Sequence, residues 1–332
     1  MKRKVVVLAV LVSFLFIGSS FAQQKEDVGE KRLQADRKLQ KPEPEYKLSA
    51  TAGIFYGYDS NPNLDNRRKG DSFQEFIYSV DFMKPLGDDL KLTFDYDLDY
   101  LNYSEFTDVT SLLNHLRLGL HKKFSLCTLG AGYDFAFLYY PKDDDGNFVF
   151  NKGFLYARQD LSRRLYHKLQ VEYGVKQFTD RNTLGPTFFI RQSDEQKDKR
   201  STAAYDIGYR LTKNLTLRLK NKFFHNDSNA FFMDFYDYIA HSHGISADYR
   251  LWEDWHLLAK FDYRRKEYDE RLTIAGGSKQ KDDLYTAAAG VIYRINDKNS
   301  LALYYIYRDN NSNEPLEEYV ENVITCGWQY NF

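Results

Sequence analysis

Beyond residue 22 the chain has no apolar run long enough to cross a bilayer as a helix, which takes about 20 residues. Cysteine is scarce, with only Cys127 and Cys326 present, and no Cys-x-x-Cys or metal-spaced Cys/His set occurs. Neither charge sign is in excess. The 46 Lys and Arg against 47 Asp and Glu leave a net charge of -1, which gives no reason to expect nucleic acid as a partner. No serine sits in a Gly-x-Ser-x-Gly elbow, so acyl hydrolysis has no evident nucleophile. Aromatic residues, by contrast, are abundant: 17% of the chain, with 27 Tyr and 25 Phe, at a mean hydropathy of -0.60. A polar chain this rich in aromatics suits a sheet with one apolar face, aromatic bands at its borders and a polar opposite face.

The N-terminus reads as an export signal. Lys2, Arg3 and Lys4 precede an apolar run from Val5 to Ile17, and Gly18-Ser19-Ser20-Phe21-Ala22 supplies a small-x-small cleavage site. Residues 1–22 are therefore expected to be removed. Residues 23–45 are Glu- and Lys-rich and end in Lys41-Pro42-Glu43-Pro44-Glu45, which predicts a flexible periplasmic leader. A plug folded into the lumen is the alternative reading of that stretch.

From Tyr46 onward apolar residues recur at every second position. Clear examples are Leu92-Phe94-Tyr96-Leu98-Tyr100, Leu129-Ala131-Tyr133-Phe135-Phe137 and Leu301-Leu303-Tyr305-Tyr307. Fainter segments at 47–58, 72–84, 111–122, 149–161, 214–224 and 236–251 bring the count to about fourteen strands. Short turns such as 85–89 and 296–299 alternate with longer polar stretches near 59–71, 141–147, 180–198, 269–282 and 309–318. This pattern predicts an all-β fold over residues 46–332: a transmembrane, antiparallel, up-and-down β-barrel with short periplasmic turns and long outer loops. The apolar patch Leu184-Gly185-Pro186-Thr187-Phe188-Phe189-Ile190 is read as an extension of two strands above the membrane. Both cysteines fall on the expected lipid-facing parity of distant strands, which excludes a disulfide between them.

The last stretch is the most telling. Ile324, Cys326, Trp328, Tyr330 and Phe332 alternate with Thr325, Gly327, Gln329 and Asn331. With Thr325, Gly327, Tyr330 and Phe332 in place, it resembles the C-terminal signal of bacterial outer-membrane β-barrel proteins. That resemblance implies insertion into the bacterial outer membrane by the barrel-assembly machinery, with outer-membrane lipid as surroundings. A second likeness lies in Gly57-Tyr58-Asp59-Ser60-Asn61-Pro62-Asn63, which resembles the opening of the barrel in surface lipoprotein assembly modifiers. It implies export of a lipoprotein or other secreted client, although the helical repeats usual in that family are missing here.

The opposite parity carries charge. Early strands place Glu75, Asp81, Asp95, Asp97, Asp99 and Asp134 there, and later ones place Lys176, Arg210, Arg218, Lys220, Lys222, Lys260, Arg264, Lys266, Arg294 and Arg308. Lys91, Arg117, Arg158, Glu172, Asp262 and Glu321 are exceptions. An acidic wall facing a basic wall would set a field across a pore for small polar solutes; ion pairing across a filled lumen is the competing reading. His241 and His243 share one strand face, but no carboxylate in register completes a metal site, and they read as interfacial. The expectation is a porin-like passive channel with no cofactor and no enzymatic site, a homo-oligomer remaining open.

Overall fold

The computed structural model describes residues 46–65, 69–185, 191–232, 234–274 and 276–332. The expected signal peptide and leader, and the tip of the apolar patch at 186–190, lie outside them. Fourteen antiparallel strands close into one barrel, each hydrogen-bonded to its neighbours in sequence and β1 to β14. They are β1 (Lys47–Asp59), β2 (Asp71–Pro85), β3 (Leu90–Tyr103), β4 (Ser111–Lys123), β5 (Thr128–Tyr139), β6 (Phe148–Asp160) and β7 (Leu165–Leu184). The second half comprises β8 (Arg191–Arg210), β9 (Leu215–Ser228), β10 (Tyr238–Arg250), β11 (Trp255–Leu272), β12 (Lys279–Arg294), β13 (Asn299–Ser312) and β14 (Tyr319–Asn331). Every segment expected from the alternation is a strand. The loops at 104–110 and 229–237 add to the long connections that the composition marks.

Closure follows from physical necessity. An open strand edge in lipid would leave a row of N–H and C=O groups with no partner. The seam runs from Thr51 opposite Asn331 to Asp59 opposite Val323. Along β1 the odd positions Gly53, Phe55, Gly57 and Asp59 are buried while Ile54, Tyr56 and Tyr58 are exposed, so even positions face lipid. Carried around the ring by the register, the same outward face collects Leu118, Leu155, Tyr173, Leu219, Phe261, Leu303 and Trp328, all exposed. These side chains are apolar because hydrocarbon surrounds them.

β7 and β8 stay paired as far as Leu184 opposite Arg191, with register shifts beyond Gln177. The stretch at 180–198 is thus largely strand, in keeping with extension above the membrane. On β11 and β12 the outward face turns charged at the outer end, where Arg265 and Lys281 both contact Glu267. That change marks where the apolar belt ends.

Cys127 lies in the turn ahead of β5 rather than within a strand, because β5 begins only at Thr128; it and the exposed Cys326 are both free thiols. His241 and His243 are on the outward face, His241 edge-on to Phe223 and His243 bonded through Nδ1 to Asn221 Oδ1 at 2.7 Å.

Candidate functional site: the charged lumen

The register places all the sequence-predicted acidic and basic residues on the inward parity. Asp81, Asp95 and Arg117 lie in line across β2, β3 and β4, and Asp97 and Asp99 follow on the same face of β3. Glu75 is opposite Phe55 on β1 and Leu101 on β3. On the far side, Arg218, Lys220 and Lys222 alternate along β9 opposite Ser246, Gly244 and Ser242 of β10. Across β10, Lys260 and Arg264 of β11 oppose Ser246 and Ser242. In the ring order β3 and β10 are diametrically placed, so the acidic and basic strands face one another.

The two walls differ in how far their charges are already engaged. From β3 a chain of contacts runs along the inner surface. Asp97 meets His115 Nδ1 at 3.3 Å, and His115 Nε2 meets Asp134 Oδ1 at 2.9 Å. Lys152 Nζ lies 3.4 Å from Asp134 and 3.3 Å from Glu172. Gln170 donates to Glu172 and accepts at 3.0 Å from Lys168, whose ammonium lies 3.4 Å from Asp206. Asp134 is thereby buried with partners on both oxygens, as a carboxylate in a wall requires. Asp81 and Asp95 face each other as like charges, and Asp99 Oδ1 accepts no hydrogen bond from the described residues.

Arg218, Lys220, Lys222 and Arg264 point inward yet are exposed, and no carboxylate of the described residues pairs with them. Solvent therefore reaches the lumen at their level. Lys260 pairs with Asp262. Other predicted basic residues are spent locally. Lys266 is packed between the rings of Tyr238 and Tyr268, 4.2 and 4.0 Å from their centroids. Lys176 caps Phe148 and Phe178 in the same way, at 3.8 and 4.2 Å. Arg308 Nη1 donates to buried Glu321 at 2.6 Å. Arg210, opposite Thr216, and Arg294, opposite Ser300, stand at the short-turn end.

Toward the outer end the inward side chains become crowded: Asn61, Gln196, Asn226, Ala240 and Gln280 are almost wholly buried. Asp59 accepts from the Tyr103 hydroxyl at 2.8 Å and from the Asn61 N–H at 2.8 Å. The Asn61 amide in turn donates to Asp65 O and Val320 O. The Asp59–Asn61 turn thus uses its polar groups to hold its own loop against β14, the ordinary work of such residues.

Lys152, Lys168, Asp206 and His115 are inward residues that the charge-wall reading passes over. Parity alone would have placed them inside; their pairing depends on cross-strand register, which alternation does not encode. Of the C-terminal residues, Thr325 and Gly327 face inward. Tyr330 and Phe332 lie outward with Trp328, the Tyr330–Phe332 rings meeting edge to face at 4.8 Å.

A closed barrel, apolar and aromatic outside, charged and solvent-reached inside, defines the class. The chain is a transmembrane β-barrel of the bacterial outer-membrane type. Residues 233–332 match the family described as "Putative beta-barrel porin 2". No curated protein matches the sequence. Among solved structures, outer-membrane OmpT of Vibrio cholerae shares 11% identity over 87% of this chain and 98% of its own, with a TM-score of 0.50. Its in-vitro folded trimer form gives 12%, 87%, 100% and 0.51. A FadL homologue of Pseudomonas aeruginosa gives 10%, 86%, 90% and 0.48. At these identities the likeness to the two OmpT structures is one of fold alone.

Proposed function

We propose that this barrel is a porin-like passive channel for small polar solutes. The observation that carries the reading is the charge on two opposed inner walls: aspartates on β3 against Arg218, Lys220 and Lys222 of β9 and Arg264 of β11, which solvent reaches and which no carboxylate of the described residues pairs. A charged, low-dielectric passage focuses its field on solutes that enter it, and the balance of its lining charges decides which ion is favoured. The porin family matched by the last third of the chain supports the same reading. Catalysis has no part in it. An export role would draw on the Asp59–Asn61 hairpin, whose side chains are committed to the turn's own hydrogen bonds.

The test is reversal potential in a planar bilayer under a salt gradient. Asp95, Asp97 and Asp99 occupy alternate positions on one inner strand face, so replacing all three by Asn removes negative charge from that wall alone. The expected result is steady wild-type conductance, and in the variant a reversal potential displaced toward anion preference with heat-modifiable gel mobility retained. Lumen substitutions tune selectivity more than stability. Steady conductance with no displacement would remove these aspartates from the path.

A further inference from the structure

We propose that the lumen holds a binding subsite for small organic anions that carry hydroxyl groups, centred on Arg218, Lys220 and Lys222. The idea rests on the channel reading for its place in transport, but not for its existence.

The site is a cavity of about 410 Å³ against β7 to β11, a size typical of small-molecule sites. Five cations line it: Lys168, Arg218, Lys220, Lys222 and Lys260, against only two carboxylates, Asp206 and Asp262. Both carboxylates are already engaged, Asp206 by Lys168 at 3.4 Å and Asp262 by Lys260 at 2.5 Å. Arg218, Lys220 and Lys222 are left with no carboxylate partner among the described residues. They sit at alternate positions of one strand, hence roughly 7 Å apart along it. Three like charges at that spacing repel one another, and an arriving anion relieves the repulsion.

The side chains that β10 sets beside them are small: Ser246, Gly244 and Ser242 stand opposite Arg218, Lys220 and Lys222. The one carboxylate lying over Gly244 is that of Asp262, which Lys260 already holds. The two serine hydroxyls and Asp206 define the rest of the ligand. Asp206, opposite Lys220 on β8, lines the same cavity, and its buried Oδ1 accepts no hydrogen bond from the described residues. An anionic head group meets the lysines and arginine, while a hydroxyl donates to Asp206. A neutral sugar lacks the first contact, and sulfate, fully ionised at neutral pH, has no hydroxyl for the second.

The experiment is calorimetric titration of the detergent-solubilised, full-length folded barrel with glucose 6-phosphate, glucose and sulfate. Glucose 6-phosphate should bind, sulfate more weakly, and glucose not at all. Lys222→Gln should weaken glucose 6-phosphate about tenfold, and Lys220→Gln with Lys222→Gln roughly a hundredfold, since each loses a charge-assisted hydrogen bond. Lys213→Gln, in the turn between β8 and β9, should bind as the wild type. The single variant serves if the double one fails to show heat-modifiable mobility. No binding by wild type, or equal binding by wild type and Lys222→Gln, overturns the subsite. Equal affinity for sulfate and glucose 6-phosphate overturns its hydroxyl-bearing ligand. The same additions in a planar bilayer separate the two ideas. Binding without any steady conductance sinks the channel and leaves the subsite, whereas conductance without binding does the reverse.

Discussion

At the scale of single residues, the inner wall is stitched by rings laid over glycines. Tyr156 covers Gly130, Phe154 covers Gly132, Tyr166 covers Gly208, Tyr304 covers Gly290 and Phe55 covers Gly327, each pair directly opposite across two strands. A strand glycine leaves a gap in the wall, and the neighbouring aromatic closes it by lying flat, which also keeps that ring out of the bore. Gly327 shows how tight the fit is. A Cβ there would come within 2.3 Å of Ile54 O and 2.4 Å of the Phe55 ring. Gly327→Ala is therefore expected to destabilise the barrel by about 1–3 kcal/mol, the usual range for overpacking. Gly153 is the contrast, with nothing within 4 Å of its added Cβ. Gly153→Ala should be neutral or gain up to about 1 kcal/mol from reduced unfolded-state freedom. Thermal unfolding followed by gel mobility distinguishes the two, and equal melting temperatures would refute the close-fit account.

At the scale of elements, β10 is set apart by how little its stretch from Ala240 to Ser246 carries inward. Ala240, Ser242, Gly244 and Ser246 face the lumen between the cationic strands β9 and β11. Small side chains on one strand leave the room that long ones on its neighbours occupy. Replacing Ser242 and Ser246 together by Leu should lower single-channel conductance while preserving heat-modifiable mobility; unchanged conductance would show that the path avoids this wall. The strands themselves were legible from alternation, because lipid on one side and solvated side chains on the other impose opposite chemistry on successive residues. Their outer ends were less so. On β7 and β8 the clear alternation covers 169–175 and 203–211, yet the strands run Leu165–Leu184 and Arg191–Arg210. Above the bilayer both faces meet water and the pattern loses its cause. The site was legible in the same partial sense. Parity put Asp97 and Asp134 inside, but their joining through His115, and the onward link through Lys152 to Glu172, depend on which strand residues stand opposite.

At the scale of the whole molecule, aromatic and amide side chains pair on the outward face toward the outer ends of the strands. Tyr96 donates to Asn114 at 2.8 Å and Tyr305 to Asn322 at 2.7 Å. At the other border Trp328, Tyr330 and Phe332 form a ring cluster, and the Phe332 N–H donates to Ala50 O at 2.9 Å. Taking Thr325, Gly327, Tyr330 and Phe332 as the assembly signal, removal of Tyr330 and Phe332 should reduce membrane insertion far more than removal of a loop residue. Heat-modifiable mobility in the membrane fraction reports this, and an unaltered yield would exclude the signal. The β1–β14 seam has a consequence in time as well. Neighbouring strands meet across a handful of residues, but Thr51 and Asn331 are 280 residues apart in sequence. Contacts of such separation form late, because the loop they close must first lose its freedom. A nascent chain lacking β14 thus carries two unpaired edges, each a template for pairing with another chain. β14 therefore decides when the barrel ceases to be an aggregation hazard, because its pairing with β1 removes both free edges at once.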